Sequence, residues 1–224
     1  MEGVKQDDYY NYERRDMLEF VPAQARTILD VGCASGAFGH VLKKARNVEV
    51  WGVEMNEEAA RSASEKLDEV LTGDVATVMT SVPEEYFDCV VFNDVLEHLV
   101  DPYSVLLSVK SKLRKDGVIV CSLPNIRYYR QLRELLVHKQ WRYEDAGILD
   151  RTHLRFFTER SIKDMFRDLD FDIVLFRGMN AMRSRNLKLL NAILFGALSD
   201  ARYAKFACVV RPKAGEKPKR GPAR

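Results

Sequence analysis

The stretch from Thr27 to Gly39 constrains the fold of this chain most, and it reads TILDVGCASGAFG. Apolar residues with Asp30 close behind predict a buried strand, and a glycine-containing turn leads from it into a helix. Glycine lacks a Cβ, so the backbone at Gly32 and Gly36 can turn tightly and approach a ligand closely. The first N–H groups of the helix are unpaired and point to the same place. The stretch therefore predicts a cradle for a nucleotide-type cofactor.

Two acidic residues distinguish between classes of cofactor. Asp30 lies at the end of the first strand, where its charge would repel a pyrophosphate but could accept hydrogen bonds from a cationic ligand. Glu54 ends the next strand, where the ribose diol lies in this topology. Read from Ala34, the turn also loosely matches the dinucleotide fingerprint. An NAD-dependent oxidoreductase is therefore the least favoured alternative.

Apolar runs alternate with helical patterns over residues 26–123, which is typical of a parallel α/β sheet. The predicted strands are 26–31, 48–53, 70–72, 87–92, 117–123, 171–176 and 203–210. The predicted helices are 36–45, 56–67, 102–114 and 159–169, with Asn56 and Thr158 as N-caps. Such sheets bind ligands beyond the carboxyl ends of their strands. Glu54, Asp74 and Asn93 all fall at those ends.

Several motifs resemble those of one enzyme family, the class I S-adenosylmethionine-dependent methyltransferases. The run D-x-G-x-A-x-G from Asp30, followed by Glu54, resembles its motifs I and II, with Ala34 in place of the commoner central glycine. Asp74 stands where the family uses an acid to bond the adenine amino group. The run NDVLEHLVDP over 93–102 is similar to a motif of small-molecule and sugar O-methyltransferases.

This resemblance covers residues 26–178 and implies a fold, a cofactor and an activity. The expected fold is a Rossmann-like α/β sheet of seven strands, mostly parallel with an antiparallel last strand and with helices on both faces. The expected cofactor is S-adenosylmethionine, and the product is S-adenosylhomocysteine. The residues expected to hold it are Asp30, Gly32, Cys33, Ala34, Gly36, Glu54, Met55, Asp74, Val75, Asn93, Asp94, Val95 and His98. A non-catalytic subunit that binds the cofactor is an alternative.

A hydroxyl acceptor must be aligned with the methyl group and must lose its proton, for which a neutral histidine is suited. The chain has four histidines, at positions 40, 98, 138 and 153. The block DRTHLRFFT over 150–158 resembles one in bacterial methyltransferases of polysaccharide and cell-surface glycan pathways, where it lines the acceptor side. We therefore predict that His153 is the base or orients the acceptor. The competing interpretation is that His153 bonds the backbone and fixes its loop.

A divalent metal site is a second, less favoured hypothesis for this region. Asp94, Glu97 and His98 have the spacing i, i+3 and i+4, which would place them on one helical face. With His153 they would give two carboxylates and two imidazoles, a plausible donor set. Similar clusters bind metal in small-RNA 2′-O-methyltransferases, and ubiquinone-pathway O-methyltransferases use a related one. Many relatives, however, carry the glutamate–histidine pair without metal.

The predicted acceptor is a sugar hydroxyl on a glycan or an activated-sugar precursor. A quinone-like small molecule is the alternative, or an RNA terminus if the metal set is real; otherwise no nucleic-acid partner is expected. Residues 125–157 and 179–200 are predicted to be insertions on the acceptor side of a methyltransferase domain over 26–211.

The two ends of the chain carry separate predictions. Residues 1–25 are expected to form a helical cap, in which Tyr12 or Arg15 reaches the carboxylate of the cofactor. Residues 212–224 read as a basic, disordered tail. The run from 187 to 198 is apolar on nearly every face but too short to span a bilayer. It is predicted to form a homodimer interface or an acceptor lid.

Composition limits the class of protein and its location. At 224 residues the chain has the size of one domain with small additions, and its net charge of +2 favours no particular polyanionic partner. The four cysteines are far apart and form no Cys-x-x-Cys pair, so neither a disulfide framework nor a zinc knuckle is expected. No signal-peptide pattern or membrane-length apolar run occurs, and a cytoplasmic location is therefore expected.

Overall fold

A computed structural model describes residues 13–213. Its strands are β1 (Thr27–Val31), β2 (Glu49–Glu54), β3 (Glu69–Thr72), β4 (Phe87–Asn93), β5 (Leu113–Pro124), β6 (Phe171–Ala181) and β7 (Tyr203–Pro212). They form one sheet in the order β3-β2-β1-β4-β5-β7-β6. The first five strands pair in parallel, and β7 runs antiparallel to both β5 and β6. The predicted seven-stranded sheet with an antiparallel last strand is confirmed.

Helices connect the strands. They are α1 (Ala37–Ala45), α2 (Glu57–Ser64), α3 (Val75–Val78), α4 (Pro102–Lys110), α5 (Tyr129–Leu136), α6 (Glu159–Asp168) and α7 (Arg185–Ile193). The side chain of Asn56 accepts the N–H of Ala59 at 2.9 Å. That of Thr158 accepts the N–H of Ser161 at 3.1 Å. Both predicted N-caps are confirmed, because each satisfies an otherwise unpaired N–H group of the first helical turn.

The sheet is covered on both faces, as the central strand β4 shows. Its residues Val90 and Phe92 pack into one apolar cluster, while Cys89 and Val91 pack into the other, and all four are fully buried. Successive side chains of a strand point to opposite faces, so a strand buried on both sides is apolar without alternation. No helix in the described part of the chain is long and apolar enough to cross a bilayer.

The predicted boundaries around β5 are wrong. Helix α4 ends at Lys110 instead of 114, and β5 begins at Leu113 instead of 117. Phe87 pairs with Leu113, but Cys89 already pairs with Val118, so β5 carries extra residues in a bulge. The polar run Arg-Lys-Asp over 114–116 lies in this bulge.

Three predicted boundaries can be compared with the described residues. Within residues 13–25, the structure shows a 3₁₀ helix at Arg15–Phe20. Strand β6 continues to Ala181, so residues 179–181 belong to the sheet and not to an insertion. Pro212 ends β7, and the N–H of Lys213 donates to the carbonyl of Asp170 at 3.0 Å, so these two residues belong to the ordered sheet region. Residues 1–12 and 214–224 lie outside the described part.

Candidate active site

The glycine turn after β1 packs against the end of β4. Gly32 has a φ of +69°, and a Cβ there would lie 2.6 Å from Cγ2 of Val95. Any side chain would therefore both strain the backbone and displace Val95. Gly36 (φ +75°) precedes α1, and Ala34 (φ +49°) adopts the left-handed conformation that the family's commoner glycine favours. The turn keeps its predicted shape despite the alanine.

Two backbone N–H groups, one from the glycine turn and one from the residue before α2, hold the Glu54 carboxylate in place. The N–H of Ala34 donates to its Oε2 at 2.9 Å, and the N–H of Asn56 donates to its Oε1 at 2.8 Å. Each carboxylate oxygen keeps a lone pair for another donor. Glu54 is half-buried at the carboxyl end of β2, and Met55 beyond it is exposed. The geometry presents a fixed, accessible carboxylate beside the glycine turn.

Cys33 contributes only backbone to this cradle. A Cβ on Gly52 would lie 2.6 Å from its Sγ, so the thiol points into the sheet. Burial, chiefly, together with the charges of Asp30 and Glu54, raises the pKa of this thiol. All four cysteines are buried and free.

Buried polar atoms without partners collect at the ends of β1 and β4. Asp30 is fully buried, and its Oδ2 has no hydrogen-bond partner within residues 13–213. The same holds for Oδ1 and Nδ2 of Asn93 in that part of the chain. Buried polar groups in native proteins are nearly always paired, so such atoms indicate a place for a polar ligand. The cradle therefore fits a cofactor with cationic and hydroxyl groups.

The pKa of Asp30 is raised to about 7. Burial is the main cause, the charge of Glu54 adds to it, and the Arg14 guanidinium opposes it. A carboxyl group that ionises with difficulty gains from a cationic ligand, because the ligand's charge replaces the lost solvation.

Asp30→Asn should therefore stabilise the cofactor-free protein above neutral pH. The folded-state pKa lies above the ordinary value of 3.8, so this group's stabilising contribution falls as pH rises from about 4 to 7. Asparagine does not titrate, and the gain should reach up to about 4 kcal/mol at pH 8 but vanish near pH 4. Urea unfolding at both pH values checks this, with exposed Asp116→Asn as control. A gain in the free energy of unfolding that does not change with pH would contradict the raised pKa of Asp30.

Asp74 and Val75 lie just after β3, where the following helix α3 begins. The Asp74 side chain accepts the N–H of Ala76 at 2.8 Å and caps α3, while Val75 is buried. Asp74 uses Oδ1 for this cap, and Gly73 before it has a φ of +143°. The adenine contact of Asp74 stays a prediction.

Asp94 is held by a cation that the sequence analysis missed. Arg14 Nη1 lies 2.5 Å from its Oδ2, and Ser122 Oγ donates to its Oδ1 at 2.6 Å. Burial alone would raise the pKa of Asp94, but the charges of Arg14 and Lys205 and the Ser122 hydrogen bond outweigh it and lower the pKa. Asp94 is thus an ionised group with established partners.

Arg14, and not Arg15, reaches the site from the N-terminal segment. Arg15 is exposed and pairs with Glu13 at 2.5 Å, whereas Arg14 is buried and also donates to Ser122 Oγ at 2.8 Å. Tyr12, the other predicted candidate, lies outside the described residues. Nothing in the spacing of consecutive arginines tells which of them points inward.

The predicted common helical face of residues 94–98 is wrong. Asp94 has a φ of +55°, and only Leu96–His98 form a single 3₁₀ turn. The turn directs Glu97 inward, where its side chain is fully buried. Neither carboxylate oxygen has a hydrogen-bond partner among residues 13–213. Burial and the charge of Asp94 raise the pKa of Glu97 well above its ordinary range.

His98 and His153 lie side by side against Glu97. Their ring centroids are 4.7 Å apart, and Nε2 of His153 is 4.0 Å from Oε1 of Glu97. The carbonyl of Glu97 accepts the N–H groups of Leu154 and Arg155 at 2.8 and 3.0 Å, which joins the 150–158 block to the 94–98 run. The two motifs selected from the sequence therefore meet in space.

Hydrogen bonds indicate the same tautomer for both histidines. Nδ1 of His98 is 3.2 Å from the carbonyl of Thr152, and Nδ1 of His153 is 3.0 Å from that of Ile148. A carbonyl oxygen only accepts, so each Nδ1 carries the hydrogen and each Nε2 has a free lone pair. Burial and the neighbouring His153 lower the pKa of His98, which keeps this ring neutral at pH 7.

The cluster offers donors for a cation but not the predicted set. One atom each of Glu97, His98 and His153 lie within 4.8 Å of one another, and Asp94 is absent because Arg14 and Ser122 hold it. Two imidazoles and a carboxylate suit a transition metal better than Mg²⁺. Bonds of about 2.1 Å bring ligand atoms no more than about 4.2 Å apart, so the cluster would have to contract.

The fold and the cradle agree with those of one protein family. The family model described as "Methyltransferase domain" matches residues 6–175, and this chain belongs to that family. Its cofactor is S-adenosylmethionine, which excludes the NAD-dependent alternative.

Curated relatives carry the name "Ubiquinone biosynthesis O-methyltransferase". That of Actinobacillus pleuropneumoniae (strain AP76) is 30% identical over 109 residues, covering 45% of this chain and 46% of the relative. That of Cereibacter sphaeroides (strain ATCC 17025) is 28% identical over 173 residues, covering 74% of this chain and 68% of the relative. The chain thus spans about half the length of the first of these relatives.

Solved structures support the fold. A SAM-dependent methyltransferase from Archaeoglobus fulgidus superposes with a TM-score of 0.60 at 21% identity, covering 92% of this chain and 93% of its own. A protein from Pyrococcus horikoshii gives a TM-score of 0.61 at 18% identity, covering 95% and 92%.

Proposed function

We propose that this methyltransferase methylates an oxygen of an aromatic, quinol-like ring. The observation that carries the proposal is the match to relatives named ubiquinone O-methyltransferases, one of which extends over 74% of this chain. The sugar acceptor predicted from the sequence finds no support among these relatives. The ring of Phe156 lies 6.5 Å from that of His153 and meets the ring of Trp141 edge to face at 5.4 Å, and such aromatic rings suit a planar acceptor.

The cofactor is assigned to the carboxyl ends of the first four strands. Glu54 takes the ribose hydroxyls, and the backbone around Gly32, Cys33, Ala34 and Gly36 forms the floor. Asp30 and Asn93 face the cationic methionine portion with their unpartnered atoms. The remaining expected contacts, from Met55, Asp74, Val75, Asp94, Val95 and His98, line the same edge. The guanidinium group of Arg14, which pairs with Asp94, is proposed to pair with the carboxylate of the cofactor as well.

His153 is proposed to take the acceptor proton. Its Nδ1–H is bound to the Ile148 carbonyl, so only Nε2 can act as base, and it points toward the space beside Glu97. A general base of this kind typically contributes 10²–10⁴-fold to a rate. Alignment of the hydroxyl with the methyl group accounts for much of the rest.

A metal-assisted reaction is the second candidate, because the Glu97 carboxylate is buried and has no hydrogen-bond partner among the described residues. Glu97, His98 and His153 would hold the ion, which would supply Lewis-acid activation of the hydroxyl. The two roles of His153 exclude each other, since Nε2 has one lone pair and would either bind a cation or accept a proton.

The acceptor class is tested with S-adenosylmethionine labelled in its methyl group. A catechol ring with a short isoprenoid chain, a set of nucleotide-sugars and a short RNA duplex are offered separately at equal concentration. We expect labelled product from the catechol only. Labelling of a nucleotide-sugar alone would overturn the proposal in favour of the sugar acceptor. Labelling of none, with cofactor binding intact, would contradict the aromatic acceptor.

A further inference from the structure

Helix α7 and the turn after it expose an apolar surface. Leu189, Ile193 and Phe195 are 66%, 62% and 99% exposed, and Leu190 and Leu194 are exposed as well. At 100° per residue, Leu189, Leu190, Ile193 and Leu194 fall on one side of the helix. Leu187 is the residue of α7 that is buried. Exposed side chains of this size and number on one helix are typical of an interaction site.

The segment that carries this surface has charges of one sign along the sequence. It contains no Asp or Glu between Asp172 and Asp200, while it has arginine at 183 and 185 and lysine at 188; Arg177, on β6, is paired with Glu19. On the helix, Arg185 lies beside the apolar side and can extend along it with its charged end outward, whereas Lys188 lies on the opposite, polar side. An apolar face with basic residues at its border and on the polar side matches helices that lie in the interface of a membrane.

The position of α7 relates this surface to the active site. Strand β6 runs parallel to β5, because both are antiparallel to β7, so α7 leaves the sheet at the same edge as the cofactor cradle. Arg127 donates to the carbonyl of Ala197 at 2.7 Å and pairs with Asp200 at 2.7 Å. These bonds tie the turn after α7 to the segment that leads into α5. Helix α5 ends in Leu136, and this residue and Val137 are also exposed.

A second copy of the chain fits this surface poorly. In a two-fold interface the same patch meets itself, so Arg185 at the border of the apolar side would be brought toward the same charge on the second copy. Five apolar side chains are also few beside the roughly 20–30 residues a side of a stable interface. Anionic lipid headgroups, in contrast, would neutralise the arginine and lysine while the apolar side chains enter the acyl boundary.

We propose that the exposed face of α7, with Phe195, docks the enzyme peripherally on an anionic membrane surface. Docking would hold the acceptor edge of the sheet toward the lipid. The inference goes beyond the proposed function and does not depend on the acceptor, because it concerns the protein without substrate.

The test is flotation of the full chain with vesicles, without cofactor or acceptor. We expect binding to vesicles containing phosphatidylglycerol that exceeds binding to pure phosphatidylcholine at least tenfold and weakens with salt. Arg185→Glu and Lys188→Glu should each lower it at least about fivefold. Ile193→Ser with Phe195→Ser should lower it tenfold or more, whereas Val174→Ser, which removes an exposed apolar side chain of β6, should leave it unchanged.

Light scattering and thermal unfolding of the same variants complete the test. Equal binding of wild type and the Ile193/Phe195 variant would overturn the proposal, as would absence of vesicle binding by the wild type. A wild-type dimer that becomes monomeric in that variant would assign the surface to a second copy instead. Failure of methyl transfer with vesicle binding intact would count against the proposed acceptor and not against docking.

Discussion

Replacing Glu54 with alanine should weaken the binding of S-adenosylhomocysteine at least about 100-fold. The carboxylate is fixed by the N–H groups of Ala34 and Asn56, so it is in place before the ligand arrives. Two hydrogen bonds to the ribose hydroxyls with an ionised acceptor contribute about 1.5–3 kcal/mol each. Calorimetric titration measures the effect, and Glu54→Gln should retain part of the affinity because the amide oxygen still accepts.

The matched control is Glu69→Ala, which removes an exposed glutamate from the neighbouring strand β3. It should bind with wild-type affinity, and all variants should unfold at similar temperatures. Wild-type affinity in Glu54→Ala would show that Glu54 does not hold the ribose. Loss of binding in both variants would point to damage of the sheet edge instead.

Replacing His153 with alanine should lower kcat about 10²–10⁴-fold while the affinity for S-adenosylhomocysteine stays within about twofold. The variant removes Nε2 as base but leaves the cradle around Glu54 intact. His138→Ala is the control, because His138 is exposed on the segment after α5. Steady-state kinetics with the acceptor that becomes labelled in the methyl-transfer test separate kcat from KM.

His153→Asn distinguishes catalysis from fixing the loop. Its amide N–H can replace Nδ1–H toward the Ile148 carbonyl, but it offers no base. We expect it to be as inactive as His153→Ala. Recovery of activity would assign His153 to loop fixing.

Cobalt(II) added to chelator-treated protein tests the competing metal role of His153. If His153 acts as the general base, we expect no visible absorption band of bound cobalt and no effect of EDTA on the affinity for the cofactor. A band that disappears in Glu97→Gln and His98→Ala would establish the metal site and remove His153 as the base.

The sheet was predictable because its signals are local. The apolar runs, the N-caps Asn56 and Thr158 and the glycine turn each act within a few residues of their own position. The bulge in β5 was not predictable from Arg114 to Asp116, since polar residues in a bulge and in a turn look alike. Its register depends on pairing with β4, which the sequence of β5 does not reveal.

The sequence motifs selected residues that the fold brings close together, but they did not give the geometry of these residues. The motifs located Asp30, Glu54 and the Glu97–His98 pair, whereas the partners that define their chemistry are distant in sequence. Arg14 is 80 residues from Asp94, and Ser122 is 28 residues from it. Asp94 has a left-handed backbone conformation and therefore does not belong to a helix with Glu97 and His98. For this reason the spacing i, i+3 and i+4 wrongly included Asp94 in the predicted metal-binding set.

The position of β7 between β5 and β6 sets the order in which the chain can fold as it is made. In the described part of the chain, β6 pairs with β7 alone, although β6 is synthesised about twenty residues earlier. Until β7 is in place, β6 is unpaired and β5 has an open edge, and such strand edges are apt to associate with other chains. Completion of the sheet must therefore wait for residue 212.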